Sequence, residues 1–176
     1  QTGYVVNPPS TKQRMLEETS QQYLRLLKQT KNETQKDASV DASYMMDNNI
    51  GYIHINNFGE QTYAEMLYAL ARLGYSGMNS LIVDLRGNRG GYMHVAIQMV
   101  NEFLSEGDLI VYTEGRNVAR EEYKANGHGN FQRIPLVVLV DEASASSSEI
   151  FAGAIQDNDR GTIIGRRSYG KGLVQQ

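Results

Sequence analysis

From Ile50 onward, short strand patterns alternate with stretches of helical periodicity, and that alternation limits the fold more than any other feature of the chain. Residues 51–58 (GYIHINNF) put apolar side chains at every second position, the spacing of a strand. Gln61 to Gly74 carries Tyr63, Met66, Leu67, Leu70 and Leu73 on one helical face and stops at a glycine. Ser80 to Leu85 reads as a buried strand, and Met93 to Leu104 as a second amphipathic helix. Leu109 to Thr113 is a strand pattern, residues 115–133 read as a long polar connection, and Leu136 to Val140 is a central apolar strand. A helix over Ser147 to Gln156 and a short strand over Thr162 to Gly165 complete the series. Strands separated by helices predict an α/β layer structure with mostly parallel pairing.

Residues 1–49 differ. Pro8 and Pro9, followed by Ser10 and Thr11, make a turn leading into a helix start. Met15, Leu16, Thr19, Tyr23, Leu26, Leu27 and Thr30 then share one face, opposite Lys, Glu and Gln, as a packing or dimerising helix would show them. A homo-oligomer formed through this helix is therefore one expected partnership. Residues 31–39 are polar and without periodicity, a linker or solvated turn. The chain thus divides into a helical extension with linker, 1–49, and a core, 50–176.

With 176 residues there is room for one domain with a substantial core. A net charge of −3 gives nucleic acid or an anionic membrane nothing to hold, and Arg166-Arg167 is too small a basic pair to change that. No apolar run approaches the length that spans a bilayer. The absence of cysteine removes disulfides, thiolate metal sites and cysteine nucleophiles together. The chain starts at Gln1 without a basic-then-apolar leader, so any signal peptide is expected to have been removed.

Three features fall in loops after strands, where α/β proteins place function. Asp84 to Gly91 (DLRGNRGG) is a glycine-rich turn. Asp141 to Glu149 (DEASASSSE) presents hydroxyls where a strand turns into a helix. Helix N–H groups and the helix dipole there suit an oxyanion, although a serine run before a helix is more often a plain cap. Ser168 to Gln176 (SYGKGLVQQ) sets Lys171 between two glycines, which lets the backbone approach closely while one long side chain reaches in. A lysine acts as a base near neutral pH only where its surroundings disfavour its charge, as burial against apolar walls does. In an open glycine-rich turn it is ordinarily solvated and inert.

Taken together, GYIHINNF (51–58), DLRGNRGG (84–91), SASSSE (144–149), DNDR (157–160) and YGKGLVQ (169–175) resemble the carboxyl-terminal processing peptidases, or tail-specific proteases, of the S41 serine peptidases. The resemblance covers about 125 residues, with five motifs in the family's order and near its spacings. It implies a ClpP/crotonase-like core, a serine endopeptidase cutting polypeptides near their C-termini, no metal or cofactor, and a bacterial, extracytoplasmic setting. By position it puts the nucleophile on Ser146, the general base 25 residues later on Lys171, and the group that orients the lysine on Gln175. The oxyanion donors it implies are the N–H of Ser147 and a second from Gly90 or Gly91. Ser144 and Ser148 are expected to cap or pack, Asn88 to support the site, and Glu149 to pair with Arg86. Family members carry a PDZ domain ahead of the core. Here the expected helix runs straight into Ala42 to Met46, the segment that usually follows that domain, and the chain stops at Gln176 where family cores continue.

Two other readings share the same residues. Gly165 to Lys171 fits the G-x-x-x-x-G-K pattern of a phosphate-binding loop, but Gly172 stands where Ser or Thr would meet magnesium. The other is a truncated or inactive protease-like domain that holds peptides without cutting them. A Ser-His-Asp hydrolase or a metal site is disfavoured, because His54, His94 and His128 are scattered and show no spacing tied to Ser146.

Overall fold

The computed structural model describes residues 38–172, so the helix expected over 12–31 and Gln175 lie outside the described residues. Strand β1 (Val40–Met46) leads through a 3-10 turn (Asp47–Asn49) into β2 (Ile50–Ile55). Helix α1 (Thr62–Tyr75), β3 (Ser80–Asp84), α2 (Met93–Asn101), β4 (Leu109–Gly115) and β5 (Val118–Lys124) follow. The chain then forms β6 (Leu136–Val140), α3 (Ser147–Asp157) and β7 (Thr162–Gly165).

Five strands make one sheet in the order β1-β2-β3-β6-β7. β2, β3, β6 and β7 run parallel, as the alternation of patterns predicts, and β1 adds an antiparallel edge. Parallel neighbours need crossover connections, and α1, α2 and α3 lie in them. The register sets Ile53 opposite Val83, and Val83 opposite Val138. All three side chains are fully buried. Met66, Leu67 and Leu70 of α1, Val95 and Met99 of α2, and Phe151 and Ile155 of α3 share their core. Each such side chain contributes about 1.5–3 kcal/mol by leaving water. Phe103 meets Phe151 edge-on at 5.9 Å, a geometry that adds about 0.5–1.5 kcal/mol beyond burial. Alternate residues point to the other side of the sheet, where Tyr44 stacks on Tyr52 at 4.9 Å.

The structure corrects two expectations. Residues 115–133 are not all connection: Val118–Lys124 is β5, which pairs antiparallel with β4 in a separate two-stranded sheet. Nearly every residue of β5 is exposed, so no apolar alternation marks it. It is held to β4 by its ladder and by the Arg120 guanidinium 4.0 Å above the Tyr112 ring, while Glu122 pairs with Arg120 and Lys124 along β5 itself. Val40–Met46, within the stretch read as extension and linker, is a strand of the core sheet. Two motif residues prove structural. Arg160 donates to the carbonyls of Phe103, Phe131 and Ile134 at 2.7–2.8 Å, and Asn158 donates to Leu109 O at 2.9 Å, tying α3 to β4. Among the described residues no helix is long and apolar enough to cross a membrane.

Candidate active site

The three loops singled out above lie after β3, β6 and β7, at the strand ends where parallel sheets place function. Two polar side chains stitch the first two loops together. Asn88 is fully buried: its Nδ2 donates to Ile55 O at 2.8 Å, and its Oδ1 accepts the Gly90 N–H at 2.8 Å. The Asn88 carbonyl accepts the Ala145 N–H at 3.1 Å and the Ser148 hydroxyl at 2.9 Å. Asp141 accepts the N–H groups of Gly87 and Ala143, each at 3.0 Å. Burial works to raise the Asp141 pKa, but these bonds favour its charged form and hold it below the usual carboxylate range.

Of the four serines at 144 and 146–148, Ser146 alone is not buried. The Ser144 hydroxyl donates to Leu85 O at 2.8 Å, that of Ser147 to Gly91 O at 2.9 Å, and that of Ser148 to Asn88 O. Ser144 and Ser148 therefore pack, as expected. Ser146 sits just before α3 at φ 56°, ψ −114°, a left-handed backbone that costs a non-glycine residue of order 1–3 kcal/mol. Two neighbours fix it there. Its N–H donates to Glu149 Oε2 at 2.9 Å. On the other side Gly90 (φ +99°) is so close that a Cβ would lie 2.8 Å from Ser146 Cβ and 2.7 Å from Ala145 O.

Since the Gly90 N–H is engaged by Asn88, the expected oxyanion donors left without a partner among the described residues are the N–H groups of Gly91 and Ser147. The Ser147 hydroxyl on Gly91 O holds those two residues side by side.

The lysine loop is tied to the same turn. Glu149 accepts the Ser168 hydroxyl at 2.7 Å and the Gly170 N–H at 2.6 Å on Oε1, and the Lys171 N–H at 2.8 Å on Oε2. Burial works to raise the Glu149 pKa, but these bonds outweigh it and keep the carboxyl below its usual range. One oxygen thus accepts both the Ser146 and the Lys171 amides. Their nitrogens lie no farther apart than the two bonds laid end to end, about 5.7 Å. Ser146 and Lys171 also line one cleft of about 400 Å³, walled by Val111 and Tyr112 of β4 and Ile150 of α3.

Three expectations change here. Lys171 is exposed at the edge of this cleft, so the burial that would disfavour its charge is not supplied by the described residues. Arg86 does not pair with Glu149. Its guanidinium grips Asp84, with Nη2 at 2.6 Å from Oδ2, and Asp84 also accepts the Tyr52 hydroxyl at 2.7 Å. Tyr52 is pushed up to about 12, by burial first and by that bond second. This group opens on a separate cleft of about 690 Å³ on the other face of the sheet. Finally, the Gly170 and Lys171 amides that a phosphate loop would offer its anion are given to Glu149. Among the described residues no histidine lines the Ser146 cleft; His54 pairs with Asp41 and His94 lies 3.7 Å from Glu60.

A strained serine in the turn from a parallel strand to a helix, beside two free backbone donors, suits a serine-type hydrolase, and the parallel sheet with its crossover helices is a ClpP/crotonase-like α/β core. Residues 49–176 match peptidase family S41, and the chain belongs to that family. It is 44% identical over 126 residues to a carboxyl-terminal-processing protease of Synechocystis, covering 72% of this chain and 29% of that one. It is 41% identical over 133 residues to the carboxy-terminal processing protease CtpA of Bacillus subtilis, covering 76% of this chain and 28% of that one. Among solved structures, the photosystem II D1 C-terminal processing protease superposes with a TM-score of 0.67 at 32% identity, over 79% of this chain and 37% of that one. The chain spans under a third of the length of these curated relatives.

Proposed function

We propose that this chain carries the catalytic core of a serine endopeptidase that hydrolyses polypeptides near their C-termini. Ser146 Oγ attacks the scissile carbonyl carbon and passes its proton to Lys171 Nζ. The Gly91 and Ser147 N–H groups receive the oxyanion, and Lys171 returns the proton to the leaving amine. Water repeats the sequence to release the acyl group. Gln175 orients the lysine.

The observation that carries this reading is the shared Glu149 oxygen, which holds the Ser146 and Lys171 amides within about 5.7 Å of each other. The lysine's four-carbon stem can bridge that gap to the hydroxyl. A polypeptide laid along the cleft covers the Lys171 side chain and excludes water from it. The same resemblance supports an extracytoplasmic bacterial setting, and residues 12–31 remain the segment for self-association.

The test is cleavage of an unfolded protein by this chain beside Ser146→Ala and Lys171→Ala. Each substitution is expected to lower the rate by at least about 10³-fold. Equal cutting by all three ends the reading. The exposure of Lys171 favours a second one, a protease-like fold that holds peptides uncut. Peptide binding, with no cleavage and no labelling of Ser146 by a fluorophosphonate, would establish it.

A further inference from the structure

We propose that Glu149 is the positioning residue that couples nucleophile to base, its carboxylate holding the Ser146 turn and the loop 168–171 as one body. This rests on the Ser146–Lys171 reading above.

The loop has little else to hold it. From Arg166 to Gly172 no residue is buried. Apart from Glu149, its anchors are the Arg166 N–H on Val140 O at 3.2 Å, the Tyr169 N–H on Ser144 O at 3.0 Å, and an exposed ion pair between Arg166 and Glu142. A segment without buried apolar contacts opens locally at low cost unless directed bonds close it. Glu149 supplies three of those bonds, to Ser168, Gly170 and Lys171, and spends the fourth on Ser146. Each oxygen takes two donors, and the bond to Ser146 shares its oxygen with the bond to Lys171. Among the described residues no cation pairs with this carboxylate, so it acts through directed bonds and not through a salt bridge. Its place in the first turn of α3 suits an anion. A carboxamide cannot replace it: one side of Gln would present N–H to N–H.

The consequence is specific. Without the carboxylate, loop and nucleophile turn separate while the core sheet stays intact. The test compares the 176-residue chain with Glu149→Gln by amide hydrogen exchange and by the rate at which a fluorophosphonate labels Ser146. Exchange at Gly170 and Lys171 is expected to rise about tenfold with β3 amides unchanged, and labelling to slow about a hundredfold. Parent-like labelling and exchange would overturn the inference. So would loosening of β3 and the loop together, which marks a merely structural role.

If Glu149→Gln fails to fold, Ser168→Ala decides. It removes one donor and leaves the charge in place, and it should speed exchange at Gly170 and slow labelling several-fold; no change overturns the inference. Lys171→Ala runs beside both. If it labels like the parent, the Ser-Lys chemistry falls, and the exchange measurement alone still decides whether Glu149 holds the loop.

Discussion

At the scale of single residues, Ser146 persists in a left-handed backbone because Gly90 leaves room on one side and Glu149 holds its amide on the other. Gly90→Ala should be costly, since its Cβ meets both Ala145 O and Ser146 Cβ and its φ is +99°. The expected loss is about 1–3 kcal/mol, read by denaturant unfolding, with labelling of Ser146 falling further than stability alone explains. Asn88→Ala acts differently. It strands the Ile55 carbonyl and the Gly90 N–H in a fully buried site, and should cost about 2–4 kcal/mol in the same measurement.

At the scale of elements, the two loops after β3 and β6 form one unit, because Ser144 and Ser148 donate across to Leu85 and Asn88. Ser148→Ala should therefore lower stability by about 1–3 kcal/mol in denaturant unfolding while Ser146 stays in place, and retain fluorophosphonate labelling at Ser146 below the unfolding temperature. The parallel strands and the helices were legible because their apolar spacing is dictated by burial on one face, and Ile53, Val83 and Val138 obey it. β5 was not, because a hairpin strand of exposed, mostly polar residues held by its ladder and by Arg120 over Tyr112 leaves no such spacing. The resemblance placed the expected nucleophile on Ser146 by its interval to Lys171, but the four bonds that Glu149 accepts had no counterpart in the sequence. Its four partners include three backbone amides, and an amide carries no residue identity for a pattern to reveal. The expected Arg86–Glu149 pair failed for a related reason: opposite charges in neighbouring loops say nothing of which carboxylate lies nearer, and Asp84 is two residues from Arg86.

At the scale of the whole molecule, one core lies under the sheet, and Phe151 joins α3 to it through Phe103. Phe151→Ala should cost about 3–5 kcal/mol in thermal or denaturant unfolding. Acid should also destabilise the fold. Asp84, Asp141 and Glu149 all have folded pKa values below their ordinary ones, so each binds its proton more readily unfolded. Their contribution is complete above the ordinary carboxylate range, near pH ~4, and drains away as pH falls through the lower folded values. Unfolding free energy measured across that window should decline, and a flat profile would contradict the shifts. Ser146 lies in the turn after β6 and Lys171 in the loop after β7, and these are adjacent strands with α3 as their crossover. Neighbouring strands stand about 4.8 Å apart whatever the length of the connection between them. Strand spacing is thus a ruler for the pair, and it sets where the chain tolerates insertions. A residue added in the turn between α3 and β7 is absorbed at the far end of the sheet. One added between Gly165 and Lys171 slides the lysine past Glu149.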